Sequence, residues 1–210
     1  MFELYVVTDR SLSNGLSDSE VARLAYAGGA DVVQLRMKDA GGRQMLEQAM
    51  AIKEYADAAS GIFIVNDRVD IAVLSDADGV HLGQSDIPVA EARKILGDDK
   101  LLGSSVHSLV EARSAVEAGA DYLSAGAVFR TATKQDAVQG IGLDLIFQIK
   151  ESFDVPLIAI GGINLGNISD VIMAGADGAA VVSAAVSKSD ISKAVHDLRD
   201  LVLKASFQKN

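Results

Sequence analysis

Two rhythms of apolar residues alternate along this chain. Short apolar runs such as Ile62-Phe63-Ile64-Val65 and Leu157-Ile158-Ala159-Ile160 are followed by longer stretches in which polar and apolar positions interleave as on an amphipathic helix. The short runs suit strands covered on both faces, and the longer ones suit helices with one buried stripe. On this basis strands are predicted at Leu4–Thr8, Val32–Arg36, Ile62–Asn66, Gly79–Leu82, Leu101–Ser105, Tyr122–Ala125, Leu157–Ile160 and Ala179–Val182. Helices are predicted at Asp18–Ala27, Gly42–Ala59, a short stretch after Arg68, Pro88–Leu96, Leu109–Ala118, Leu143–Glu151, Asn164–Met173 and Asp190–Ala205. Each strand is thus followed by a helix.

The boundaries carry fitting local chemistry. Four strands are preceded by Ala27-Gly28-Gly29-Ala30-Asp31, Ser75-Asp76-Ala77-Asp78, Ala118-Gly119-Ala120-Asp121 and Ala174-Gly175-Ala176-Asp177, three of which place glycine where a helix would end in the left-handed conformation. Pro88 can open a helix, where a missing N–H is harmless, and Pro156 stiffens the entry to a strand. Strands separated by whole helices must run parallel, because a short hairpin cannot connect them. Eight such units in 210 residues fit a single-domain α/β chain closed as a (β/α)₈ TIM barrel, with an open doubly wound sheet as the competing fold.

Composition narrows the class. The chain is 49% hydrophobic and 23% charged with two prolines, the balance of a folded globular protein. A formal net charge of −10 and the absence of a basic stripe argue against nucleic acid as a partner. There is no cysteine, which excludes disulfides, thiolate metal sites and cysteine nucleophiles, and three scattered histidines do not make a structural zinc site. Any metal is therefore a hard one. The first residues lack the order of a secretory signal, and no apolar run approaches a membrane span, so a cytoplasmic protein without a membrane partner is expected.

In a barrel of this kind the chemistry belongs just after the strands, and the polar residues collect there. In Gln34-Leu35-Arg36-Met37-Lys38 the strand period puts Gln34, Arg36 and Lys38 on one side. Guanidinium and ammonium together suit a diphosphate, although a solvated strand end would look the same in isolation. Asp67 and Asp86 leave neighbouring strands and could share Mg²⁺ with substrate oxygens and water. Taken singly, Asp67 could be a helix cap and Asp86 a turn residue. Ser105 either caps the following helix or touches a phosphate. The longest loop, after the sixth strand, carries Thr131, Thr133 and Lys134, with Arg130 read as solvent-facing and without a role. Gly161-Gly162 and Ser183, after strands seven and eight, suit a second phosphate. His81 and His107 read more readily as hydrogen-bonded structure than as bases, and no Ser-His-Asp triad is apparent.

Read together, Tyr5-Val6-Val7-Thr8-Asp9, Gln34 to Lys38, Asn66-Asp67-Arg68-Val69-Asp70, Asp78 to Asp86, Thr131-Ala132-Thr133-Lys134 and Ala159-Ile160-Gly161-Gly162-Ile163 resemble the thiamine phosphate synthase family over nearly the whole chain. The resemblance implies a magnesium-dependent transferase that joins hydroxymethylpyrimidine diphosphate to thiazole phosphate and releases pyrophosphate. It implies that Gln34, Leu35, Arg36, Met37, Lys38, Asn66, Ser105 and Lys134 hold the pyrimidine diphosphate and that Asp67 and Asp86 hold the metal. By the same resemblance Arg36, Lys38, Ser105 and Lys134 act in catalysis, and Thr131, Ala132, Thr133, Gly162, Val182 and Ser183 hold the thiazole phosphate. One departure stands at Ala127, where the family usually has proline and the related thiazole tautomerases a functional histidine. A thiazole phosphate tautomerase and a non-catalytic barrel that binds thiazole or thiamine phosphate are the alternatives. A homodimer is left open, since apolar positions on the outer helices do not say what they face.

Overall fold

The computed structural model describes residues 3–131 and 140–209. Eight parallel strands, β1 (Leu4–Val7), β2 (Val32–Leu35), β3 (Ile62–Asn66), β4 (Gly79–Leu82), β5 (Leu101–Val106), β6 (Tyr122–Ala125), β7 (Leu157–Ile160) and β8 (Gly178–Val181), pair in sequence order, and β8 closes on β1. The helices α1 (Asp18–Ala27), α2 (Gly42–Ala59), α3 (Val69–Leu74), α4 (Val89–Leu96), α5 (Leu109–Glu117), α6 (Asp144–Ser152) and α7 (Ile168–Met173) follow the first seven strands; α8 (Ser183–Val186) and α9 (Ile191–Lys209) follow the last. The expected (β/α)₈ barrel is the observed one. Among the described residues no helix is long and apolar enough to cross a membrane.

Strand alternation splits the core into two layers. Leu4, Val6, Val33, Leu35, Phe63, Val65 and their equivalents pack outward against the helices, while Tyr5, Val7, Val32, Ile64, Tyr122, Ile158 and Ala180 fill the barrel. Both faces of each strand are thus withdrawn from water, which is why the strands read as unbroken apolar runs. Each fully buried Val, Leu, Ile or Phe contributes about 1.5–3 kcal/mol of transfer free energy toward closing the shell.

Caps fix the helix ends. Ser17 Oγ accepts from Glu20 N (3.2 Å) while the Glu20 carboxylate accepts from Ser17 N (2.9 Å), a reciprocal box that starts α1. Ser108 Oγ caps α5 by accepting from Glu111 N (3.2 Å), without the reciprocal bond. Gly29, Gly119 and Gly175 adopt positive φ after their helices, as the sequence suggests, and Asp76 takes the same conformation in the fourth repeat.

Those four repeats also build the N-terminal rim. Asp31, Asp78, Asp121 and Asp177 each precede an even-numbered strand and accept from the backbone N–H of the odd-numbered strand before it, at Leu4 (2.9 Å), Phe63 (2.7 Å), Leu102 (2.7 Å) and Leu157 (2.8 Å). Each also meets a cation from an outer helix, respectively Arg199, Lys53, Arg93 and Lys150.

Several boundaries move for local reasons. α7 starts at Ile168 rather than Asn164, because Asn167 Oδ1 accepts from Asn164 N and Asn164 Oδ1 from Gly166 N, side-chain bonds that hold a turn in place of the helix. Pro88 stands at the N-cap of α4, one residue before the first helical position. β8 begins one residue early, and Ser183 opens the four-residue α8, a helix the sequence reading did not include. α9 continues to Lys209, whose ammonium donates to Gly175 O (2.9 Å).

Candidate active site

At the C-terminal rim the strand ends enclose a cavity of about 570 Å³. Its wall includes Gln34, Arg36, Met37 and Lys38 from β2 and the loop after it, Asn66 at the end of β3 and Asp67 just beyond it, Asp86 from beyond β4 and Ser105 from β5. Thr131, Gly162, Val182 and Ser183 close the opposite side. Residues far apart in the chain therefore meet because parallel strands all end at the same rim.

Leu35 is the exception among the described candidates. Its side chain is fully buried in the helix-facing layer and does not line the cavity, because alternation turns it away from Gln34 and Arg36. Ala132, Thr133 and Lys134 lie outside the described residues.

The rim residues are individually positioned. Arg36 Nη1 lies 3.2 Å from Asp9 Oδ2, and Asp9 is itself held by Ser11 N (3.0 Å), so the guanidinium is pre-aimed by β1. Arg36 N also donates to Thr8 Oγ1 (3.2 Å). Asp9 was not singled out as a site residue from the sequence; its signal is that a half-buried arginine needs a nearby carboxylate. Asp86 Oδ2 accepts from Gly83 N (2.6 Å), which makes Asp86 the turn residue the sequence allowed while leaving its other oxygen for further ligation. Asp67 is not a helix cap: α3 is preceded by Arg68, and no side chain caps it. Asp67 instead sits in the left-handed region with φ 63°. Burial first, then a hydrogen bond and like-charge repulsion from Asp86, push its carboxyl up to about 6, with Lys38 and Arg36 opposing the rise. Two carboxyls pressed together in this way favour the protonated form of one of them, and the nearby cations only partly offset this.

Beneath the rim runs a chain of hydrogen bonds that sequence reasoning missed. Gln34 Nε2 donates to Tyr5 Oη (2.7 Å), Tyr5 Oη meets Tyr122 Oη (3.1 Å), Tyr122 Oη meets His81 Nδ1 (3.1 Å), and His81 Nε2 meets Ser105 Oγ (2.9 Å). One donor direction satisfies these five groups in turn: Gln34 to Tyr5 to Tyr122 to His81, then His81 Nε2–H to Ser105, leaving the serine proton for a ligand. Burial raises the pKa of both phenols well above the ordinary range, so both keep their protons. Gly103 makes the chain possible, because a Cβ there would overlap the Tyr122 ring and come within 2.5 Å of His81 Nδ1. Ser105 is thus tied to His81 rather than to a helix end, since Ser108 caps α5. His107 also lines the cavity, its Nδ1 3.0 Å from Glu111 Oε2.

On the far side Gly162 has φ 67°, and a Cβ there would come within 2.6 Å of Arg130 O. The bare glycine lets the loops after β6 and β7 pack backbone to backbone, with Phe129 N donating to Gly161 O (3.0 Å). Ala127, buried against Gly161, carries no group that transfers a proton.

Comparison with known proteins agrees with this geometry. Residues 4–185 match the family model described as thiamine monophosphate synthase. A thiamine-phosphate synthase of Methanoculleus marisnigri is 48% identical, with 99% of this chain and 98% of that protein covered. One from Chloroflexus aurantiacus is 52% identical, with 96% and 93% covered. The solved structure of a thiamine phosphate pyrophosphorylase from Pyrococcus furiosus superposes with a TM-score of 0.90 at 42% identity, covering 97% of this chain and 96% of the other. The chain belongs to the thiamine monophosphate synthase family.

Proposed function

We propose that this protein condenses hydroxymethylpyrimidine diphosphate with thiazole phosphate to give thiamine phosphate and pyrophosphate. The observation that carries the reading is the convergence of Arg36, Lys38, Asn66, Asp67, Asp86 and Ser105, from four successive strands, on one cavity. Full-length similarity to proteins named for this activity supports it.

In the reaction the bond between the pyrimidine methylene carbon and the diphosphate oxygen breaks, with its electron pair leaving on pyrophosphate. The thiazole nitrogen then supplies the pair for the new C–N bond. No protein nucleophile is required; the site's task is to stabilise charge on the leaving group before it moves. Arg36, held by Asp9, offers a planar fork to two phosphate oxygens, and Lys38 adds a point charge. Asn66 offers an amide, and Ser105, its oxygen engaged by His81, donates its proton toward the diphosphate. The floor formed by Gln34, Tyr5, Tyr122 and His81 presents fixed polar groups to the edge of an aminopyrimidine. Lys134 of the loop after β6 is assigned to the same leaving group by the family resemblance.

Asp67 and Asp86 fit Mg²⁺. Among the described residues no group of three or more His, Asp and Glu side chains could hold a metal alone, so this pair needs substrate oxygens and water to complete a hard, six-oxygen shell. The raised pKa of Asp67 marks a position where a divalent cation would relieve the repulsion. When bound, the ion supplies electrostatic stabilisation of the diphosphate charge, several kcal/mol at the transition state. Gly162, Thr131, Val182 and Ser183 take the thiazole phosphate side. The apolar methyl of Ala127, where a tautomerase would carry its histidine, favours the synthase over that alternative.

Incubating the purified protein with both substrates and Mg²⁺ and following thiamine phosphate by chromatography tests the reading. Product formation that stops on chelation supports it. Absence of product with both substrates bound would overturn it.

A further inference from the structure

A second cavity, of about 370 Å³, opens beside the main one and shares Thr131, Gly162, Ile163 and Ser183 with it. Leu12, Arg130 and Asn164 complete its wall. In a chain of net charge −10, no acidic side chain among the described residues lines this space. Its charge is that of Arg130, and among the described residues Arg130 pairs with no carboxylate, unlike Arg36, Arg68, Arg93 and Arg199.

The backbone of Arg130 is not free to drift. Val128 N donates to Ile160 O (2.9 Å) and Phe129 N to Gly161 O (3.0 Å), continuing the β6–β7 ladder past the strand ends. Gly162, with no side chain, lets the Arg130 carbonyl lie against it. A cation with no carboxylate partner among the described residues is therefore anchored beside Gly162 and Ser183, which both cavities share.

We infer that Arg130 is a specificity-determining residue that binds the phosphomonoester of the second substrate from the outer side, through the wall shared by the two cavities. The inference rests on the reading of the previous subsection and adds a residue that the family resemblance does not assign. A guanidinium at this point meets a phosphate dianion with paired donors. The contact is to a part of the substrate that does not react, so it lowers the concentration needed for binding and leaves the chemical step largely as it was. Because Arg130 is exposed, the effect is a moderate one.

Steady-state kinetics of wild type, Arg130→Ala and Arg130→Lys, with Arg113→Ala as a surface control, test this. Arg130→Ala is expected to raise KM for thiazole phosphate roughly tenfold, with kcat changed less than twofold and KM for the pyrimidine diphosphate unmoved. Arg130→Lys recovers part of the loss, and Arg113→Ala changes nothing. With the phosphate-free thiazole alcohol, wild type and Arg130→Ala should coincide. Calorimetric titration with thiamine phosphate gives a second readout, in which Arg130→Ala weakens binding by a similar factor. Unchanged KM and affinity, or an equal change with the alcohol, would overturn the role of Arg130. Wild type that binds thiamine phosphate yet forms no product would overturn the proposed activity instead, while the calorimetric comparison still decides Arg130.

Discussion

At the N-terminal rim Asp31, Asp78, Asp121 and Asp177 each accept a backbone N–H and face a cation from an outer helix, whereas at the C-terminal rim Asp67 and Asp86 face one another. The four lower carboxylates are compensated within the fold. Burial, together with the hydrogen bond the upper pair shares across like charges, makes Asp67 titrate well above an ordinary aspartate. One residue type thus closes the barrel at one end and holds open a binding site at the other; its partners decide which. A carboxyl whose charge the fold compensates only in part marks a candidate for interaction with something outside the fold.

The largest expected effect separates the rims by rate. Asp67→Asn or Asp86→Asn should lower kcat by at least roughly a thousandfold, because several kcal/mol of metal-derived stabilisation is lost. The circular dichroism melt should stay cooperative, since asparagine tolerates the left-handed backbone at position 67. A normal rate for either variant would break the comparison.

Next, Arg36→Lys should reduce kcat/KM about 10–100-fold while stability stays within about 1 kcal/mol of wild type. The charge opposite Asp9 is kept, but the fork is lost.

The lower rim responds in the other currency. Asp78→Ala removes the acceptor of Phe63 N–H and one partner of Lys53, and should cost about 2 kcal/mol in urea denaturation with kcat and KM unchanged. A loss of activity without a loss of stability would reverse the division between the rims.

The smallest effect sharpens the comparison by pH. The Asp67 carboxyl titrates near 6 in the folded chain against 3.8 for an ordinary aspartate, so its ionised form is disfavoured by folding. With metal chelated, wild type should gain stability as pH falls from about 6, and the gain should be complete below 3.8. Because the carboxyl still contacts water, solvent screening reduces the expected size to ~1 kcal/mol. Asp67→Asn should therefore be more stable than wild type by that amount above pH 7, with the difference vanishing near pH 4. Thermal melts across this range measure it.

The fold was legible because its strands are buried on both faces and separated by helix-length segments, a pattern few topologies share. That Arg36, Asp67, Asp86 and Ser105 line one cavity was legible to the extent that they lie at or just beyond strand ends, while their roles came from the family resemblance. The Leu35 side chain turns away from the cavity because alternation divides the segment that the resemblance carried as a whole between core and cavity. Tyr5 and Tyr122 were missed because aromatic residues in apolar strands read as core, and their hydroxyls meet across 117 residues of chain. α8 was missed because four residues carry no periodicity.

The chain's own pattern determined the number of units, their parallel direction and the rim on which chemistry would gather, because burial and connection length are local properties that repetition makes plain. Only the closed barrel decided which polar groups would touch. That Arg36 answers to Asp9, that Tyr122 bridges Tyr5 to His81, and that Asp67 meets Asp86 all depend on strand register and curvature. These are distances between remote residues, and no linear spacing encodes them.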